Sequence, residues 1–266
     1  MYTIQNRIGF IGVHKINVFI VSLYLCLSSA CSYLPNDEIN PSNEVVITET
    51  RDYIFMRPFD QKETNTGILF YPGGLVDPHV YNQWLSELVL SDPTYTVIVL
   101  KMPANLAVLN SNAATMAIND FPYITNWVIA GHSLGGAMAC SYVAAFPNSI
   151  KGLVLLAAYP AQSVDLTSWQ GAVLSIAASE DGLASAEDIE DSKLRLPTSV
   201  LINTPNMMPT NLQGKTVFYT INGGNHAYFG HYGPQNNDGE ALITREEQQY
   251  QVLELMRQFF TNNDWD

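Results

Sequence analysis

Positive charge is scarce in this 266-residue chain: 12 Lys and Arg stand against 25 Asp and Glu, a formal net charge of −13. The long-range field repels phosphate backbones and anionic membrane surfaces, which speaks against nucleic acid as a partner. Charged residues of both signs make up only 14% of the chain, while 47% is hydrophobic. That balance excludes a disordered or collagen-like polymer and fits one globular domain with a sizeable core. No fixed-period repeat or low-complexity tract is present. Long hydrophobic runs are also missing: apolar residues 16–30 fall short of the ~20 needed to span a bilayer, and His14 with Lys15 interrupts any longer span. Cysteine is rare, with three in the chain, Cys26, Cys31 and Cys140.

The front of the chain has its own character. Arg7, His14 and Lys15 precede the apolar stretch Ile16–Leu27, and the small residues Ser28, Ser29 and Ala30 lead into Cys31. This is the layout of an export signal over residues 1–30. Leu27-Ser28-Ser29-Ala30-Cys31 resembles a bacterial lipoprotein box, in which the cysteine becomes the lipidated first residue. The resemblance implies a protein exported and anchored to a cell-envelope membrane through Cys31, with plain secretion or a periplasmic location as the alternative. With Cys26 removed and Cys31 acylated, Cys140 stands alone, so no structural disulfide is available and Cys140 is most simply a small core residue. Residues 31–43 mix prolines with polar side chains without periodicity and read as a tether to a domain over 44–266.

From residue 45 onward, short β-branched apolar runs alternate with helical patterns, the signature of a mainly parallel sheet with helices on both faces. Val45–Ile47 and Tyr53–Met56 suit an opening antiparallel pair. Gly67–Tyr71, Val97–Leu100, Trp127–Ala130, Gly152–Leu156, Ala172–Ile176 and Thr216–Tyr219 complete eight strands. Helices are expected over Val80–Leu90, over Leu134–Phe146 with Pro147 as its stop, and from a Thr244/Glu247 capping box to about Phe260. Between the sixth and seventh strands only about a dozen residues, Tyr159–Gly171, are available, so no large cap domain is expected. In such sheets the reacting groups gather at the carboxyl ends of the strands.

Gly131-His132-Ser133-Leu134-Gly135-Gly136 follows a strand and opens a helix, which is the setting of a Gly-x-Ser-x-Gly nucleophile elbow. The turn holds the serine in a strained conformation that lifts its hydroxyl off the sheet, and side chains at 131 and 135 would clash as strand and helix pass. His132 leaves the turn in another direction and reads as structural.

A serine hydroxyl needs an imidazole to take its proton, and the imidazole needs a carboxylate to fix its tautomer. His226, in the glycine loop Gly223-Gly224-Asn225-His226 after the last strand, is the favoured base, with His231 in reserve. Asp181, after the strand beginning at Ala172, is the favoured acid and gives the chain order Ser, Asp, His; Asp165 and Glu180 compete with it. Amide donors for the oxyanion are expected from Leu134, at the start of a helix, and from Gly74 in the loop Tyr71-Pro72-Gly73-Gly74-Leu75. His79, Lys101 and Met102 are candidates for the mouth.

In combination, Tyr71–Gly74, Lys101–Pro103, Gly131–Gly136, Asp181-Gly182, Gly223–Ala227 with Phe229-Gly230, and Asp238–Ala241 resemble the α/β-hydrolase superfamily, most closely the alpha/beta hydrolase fold-5 group akin to dienelactone-hydrolase-like proteins. The likeness spans about residues 65–262. It implies the α/β-hydrolase fold and a serine hydrolase with Ser133, Asp181 and His226 at the triad positions, acting on a small-molecule ester or related acyl bond and requiring neither metal nor organic cofactor. A lipid-tethered binding protein on the same fold and an acyltransferase are the competing readings.

Overall fold

The structure is a computed structural model that describes residues 32–36, 43–60, 65–92 and 94–263. The signal-like segment and Cys31 lie outside the described residues. The described residues from Tyr33 onward belong to one compact unit.

Nine strands form one open sheet: β1 (Val45–Glu49), β2 (Tyr53–Pro58), β3 (Thr66–Tyr71), β4 (Tyr95–Leu100), β5 (Asn126–His132), β6 (Gly152–Leu156), β7 (Ala172–Ala178), β8 (Thr198–Leu201) and β9 (Lys215–Ile221). The strand order is β1-β2-β4-β3-β5-β6-β7-β9-β8. β1 and β2 pair antiparallel, as do β2 and β4, and every later pairing is parallel. The eight expected strands are present; β8 is the ninth, which the sequence reading omitted. Its Thr198-Ser199-Val200-Leu201 is a largely exposed edge strand with no alternation, and pairing with β9 alone makes it extended.

The described residues hold five α-helices, four between strands and one after the last: α1 (Asn82–Ser91), α2 (Ala113–Asp120), α3 (Leu134–Ala145), α4 (Ala186–Ser192) and α5 (Arg245–Thr261). Alternation along β3 sends Ile68 and Phe70 to one face and Leu69 and Tyr71 to the other. On the first face α1 and α5 pack together, burying Trp84, Leu85, Leu88, Met256 and Phe259. On the second, α2, α3 and α4 bury Ala117, Cys140, Val143 and Ile189. Cys140 is fully buried and unpaired, and burial pushes its thiol pKa up. The expected Thr244/Glu247 box closes reciprocally at the start of α5.

The connection from Leu156 to Ala172 carries neither helix nor strand, so no large cap is built there. In the stretch expected to be a tether, Tyr33 forms a parallel bridge with Val76 and Pro35 an antiparallel bridge with Tyr232. Among the described residues, no helix is long and apolar enough to cross a membrane.

Candidate active site

Ser133 stands between the end of β5 and the first turn of α3 with φ 53° and ψ −126°, a left-handed conformation that β-carbon sterics disfavour. Its N–H is held by the Leu156 carbonyl at 3.0 Å. The close passage of strand and helix explains the flanking glycines. A Cβ on Gly131 would lie 2.6 Å from the Gly135 carbonyl carbon, and one on Gly135 would lie 2.2 Å from the Tyr71 oxygen.

His226 and Asp181 come together from the loops after β9 and β7. His226 Nδ1 lies 2.8 Å from Asp181 Oδ2 and 3.0 Å from Oδ1. Both side chains are only 1% exposed, so the pair is shielded from screening water. Asp181 Oδ1 also accepts the N–H groups of Leu183 and Ala184, each at 2.8 Å, which satisfies the carboxylate. The other ring nitrogen, Nε2 of His226, is buried and bonds to no protein group, Ser133 Oγ included. Ser133 enters the same neighbourhood through its neighbour, because the His132 and His226 rings lie 4.6 Å apart between centroids.

The loops that carry this pair are braced by groups the sequence reading did not assign. Asp238 accepts N–H bonds from His226 (3.1 Å), Ala227 (2.8 Å) and Gly239 (2.9 Å), and one from Gly182 (3.3 Å) beside the acid. Gln248, fully buried on α5, clasps Asn225 reciprocally, accepting its N–H at 3.0 Å and donating to its carbonyl at 2.8 Å. The Asp238-Gly239 pair was visible as a motif; the amide clasp leaves no local signal.

His132 is structural, as expected, but it is more than filler. Tyr81 Oη accepts the Gly73 N–H at 3.0 Å and lies 2.9 Å from His132 Nδ1. The hydroxyl keeps its own proton and a second lone pair, so the direction of its bond to Nδ1 follows the His132 tautomer. Burial, and then the facing His226 ring, hold the His132 pKa well below the ordinary imidazole value, against the pull of the His226 carbonyl. A neutral imidazole thus joins the loop after β3 to the elbow and to the His226 ring.

That loop holds Gly74 tightly without using its N–H. Gly73 is fixed by Tyr81, and Leu75, in the left-handed region at φ 60°, donates to the Asn105 carbonyl at 2.7 Å. Among the described residues the N–H groups of Gly74 and Leu134 have no hydrogen-bond partner, and the two residues are close: a Cβ on Gly74 would sit 3.0 Å from Leu134 Cδ2.

The competing residues fall elsewhere. Asp165 folds back on Thr167 in an exposed turn beside a cavity of about 650 Å³ at the amino ends of β6 and β7, away from the elbow. Glu180 accepts from Ser179 Oγ on the surface, and the His231 main chain pairs with Val80 and Asn36. His79, Lys101 and Met102 line a cleft of about 320 Å³ with Asp77 and Asn105. There His79 Nδ1 lies 2.7 Å from Asp77 and Nε2 3.1 Å from Glu49, which Lys101 also bonds at 2.7 Å.

The model of the alpha/beta hydrolase family matches residues 67–250, from β3 into α5. The chain belongs to that family. Solved structures agree on the hydrolase fold. A predicted CIB-like hydrolase from Thermoplasma acidophilum is 13% identical, with TM-score 0.55 over 80% of this chain and 99% of its own. MGS-MChE2, an alpha/beta hydrolase from a metagenome of Mar Chica lagoon sediments, is 15% identical, with TM-score 0.54 over 81% and 98%. Est1E from Butyrivibrio proteoclasticus, solved with ferulic acid, is 13% identical, with TM-score 0.52 over 84% and 98%. Comparison with curated protein sequences gives no match.

Proposed function

We propose that this hydrolase cleaves a carboxylic ester through an acyl-enzyme on Ser133. Ser133 Oγ attacks the ester carbonyl as His226 Nε2 takes its proton, and the carbonyl oxygen becomes an oxyanion received by the Gly74 and Leu134 N–H groups. Collapse of the tetrahedral intermediate breaks the bond to the alcohol oxygen, which leaves with the proton from His226. Water then attacks the acyl-enzyme, again losing its proton to His226, and the acid departs as Ser133 regains its hydrogen. Asp181 holds the Nδ1–H tautomer and stabilises the transient imidazolium.

The observation that supports this reading is the buried His226–Asp181 contact with Nε2 left unbonded, its ring 4.6 Å from that of His132, the neighbour of Ser133. A fluorophosphonate probe should label wild type at Ser133, and Ser133→Ala should lower turnover of p-nitrophenyl esters on the order of 10⁴–10⁶-fold. A folded wild type that takes no label and hydrolyses no ester of any chain length would refute it. Added alcohols separate hydrolysis from acyl transfer, since a transferase returns a new ester. We also propose, on the lipobox-like sequence alone, that the protein is exported and acylated at Cys31; an unmodified Cys31 in the mass spectrum of the mature chain would refute that part.

A further inference from the structure

Gly74 has one flank secured by Tyr81 through Gly73; the other flank, Leu75, is held from outside the loop. Tyr33 donates its N–H to the Leu75 carbonyl at 2.7 Å and accepts the Asp77 N–H at 3.0 Å, adding a short parallel ladder beyond the end of β3. Three residues on, Asn36 donates to the His231 carbonyl at 3.3 Å, and the Tyr33 ring packs on Tyr232 at 5.4 Å. Four residues of the amino-terminal segment therefore strap the Gly74 loop to the loop that carries His226.

This strap is anchored mainly through its backbone, and its grip falls on a residue that resists its own conformation. Leu75 at φ 60° pays a steric penalty that glycine would not, so it stays there only while neighbouring bonds hold it. Asn105 holds the Gly74–Leu75 peptide through the Leu75 N–H, and Tyr33 holds the next peptide, Leu75–Val76, through the Leu75 carbonyl, so the two bonds together fix φ and ψ of Leu75. The direction of the Gly74 N–H follows from the same turn.

We infer that Tyr33 is a positioning residue for the oxyanion site: its main-chain N–H, acting through Leu75, aims the Gly74 donor. The inference rests on the serine hydrolase reading above and deepens it by making the segment next to Cys31 part of the working site.

The test is Tyr33→Pro, which deletes the N–H, beside Tyr33→Phe, which keeps it, both in the full mature chain. With a p-nitrophenyl ester turned over by wild type at 25 °C, kcat of Tyr33→Pro should fall about ten- to a hundredfold, within the worth of one oxyanion donor. KM should stay within about twofold, the drop should be uniform across the pH profile because the base is untouched, and Tyr33→Phe should keep wild-type kcat. Hydrogen exchange in residues 74–77 should quicken in Tyr33→Pro alone. If that variant fails to fold, Asn36→Pro cuts the far end of the strap and should show the same kcat-selected loss in smaller measure. A folded Tyr33→Pro, or failing it a folded Asn36→Pro, with kcat within twofold of wild type overturns the inference while leaving the hydrolase reading intact. An inactive, unlabelled wild type removes both.

Discussion

Replacing Tyr81 by Phe tests whether the buried relay holds the oxyanion loop. The ring is fully buried and would stay in place, so the change reduces to the loss of one oxygen. That oxygen is the acceptor for Gly73 N–H at 3.0 Å and the partner of His132 Nδ1 at 2.9 Å, and both groups would be left buried without a bond. Each of the two orphans costs about 1–3 kcal/mol, offset by about 1 kcal/mol because the phenol itself no longer has to be buried, for a net loss of roughly 1–5 kcal/mol. For a domain of this size that is a drop in Tm on the order of 10 °C. Catalysis should suffer separately. With Gly73 released, the Gly74 N–H loses its aim, and kcat for a short p-nitrophenyl ester, measured well below Tm, should fall about ten- to a hundredfold at nearly constant KM. Circular dichroism at the assay temperature confirms that the variant is folded. Tyr81→Phe with wild-type Tm and kcat within twofold would refute the relay as the element that fixes this loop.

Other expectations follow from the same geometry. Asp181→Asn should keep the fold but lower kcat by about 10⁴, since an amide can impose the wrong His226 tautomer; an activity within tenfold of wild type would remove Asp181 from the triad. Gly131→Ala brings a methyl into backbone at 2.6 Å and should destabilise by more than about 3 kcal/mol, read as insoluble expression or a collapsed Tm. His79 is held protonated, its pKa raised from 6.5 to about 9 chiefly by the bond to Asp77 and then by Glu49. Its contribution is fully present below pH 6.5 and disappears as pH rises through about 9. The side chain is 38% exposed, so solvent screening limits this to about 1 kcal/mol. His79→Gln should accordingly melt a few degrees below wild type at pH 6 and together with it at pH 10; a constant gap would refute the assignment.

What could be read from the sequence, and what could not, divides along the range of the interactions. β3 to β7 are continuous apolar runs because both faces are covered, and the elbow declares itself through glycines that backbone proximity demands, so these needed no partner to be recognised. α2 and α4 were missed because they are short: Ala113–Asp120 carries mixed propensities, and Ala186–Ser192 is started by a Ser185/Asp188 box rather than by an apolar stripe. Tyr81 reaches His132 across 51 positions, and Gln248 reaches Asn225 across 23, distances at which no spacing rule operates. The strap was read as a tether because its prolines and polar residues describe a chain without a core of its own, which is true; its order comes from main-chain bonds lent by two loops.

The Gln248–Asn225 clasp sets a timetable for this protein. Synthesis proceeds from the amino end, so α5 leaves the ribosome after β9 and the loop that carries His226. Until it docks, a nascent chain has Asp181 and Asp238 to hold His226 and its loop but lacks the amide clasp on Asn225. On the proposed mechanism, a chain truncated before residue 248 should carry Ser133 with a His226 loop that is less firmly held.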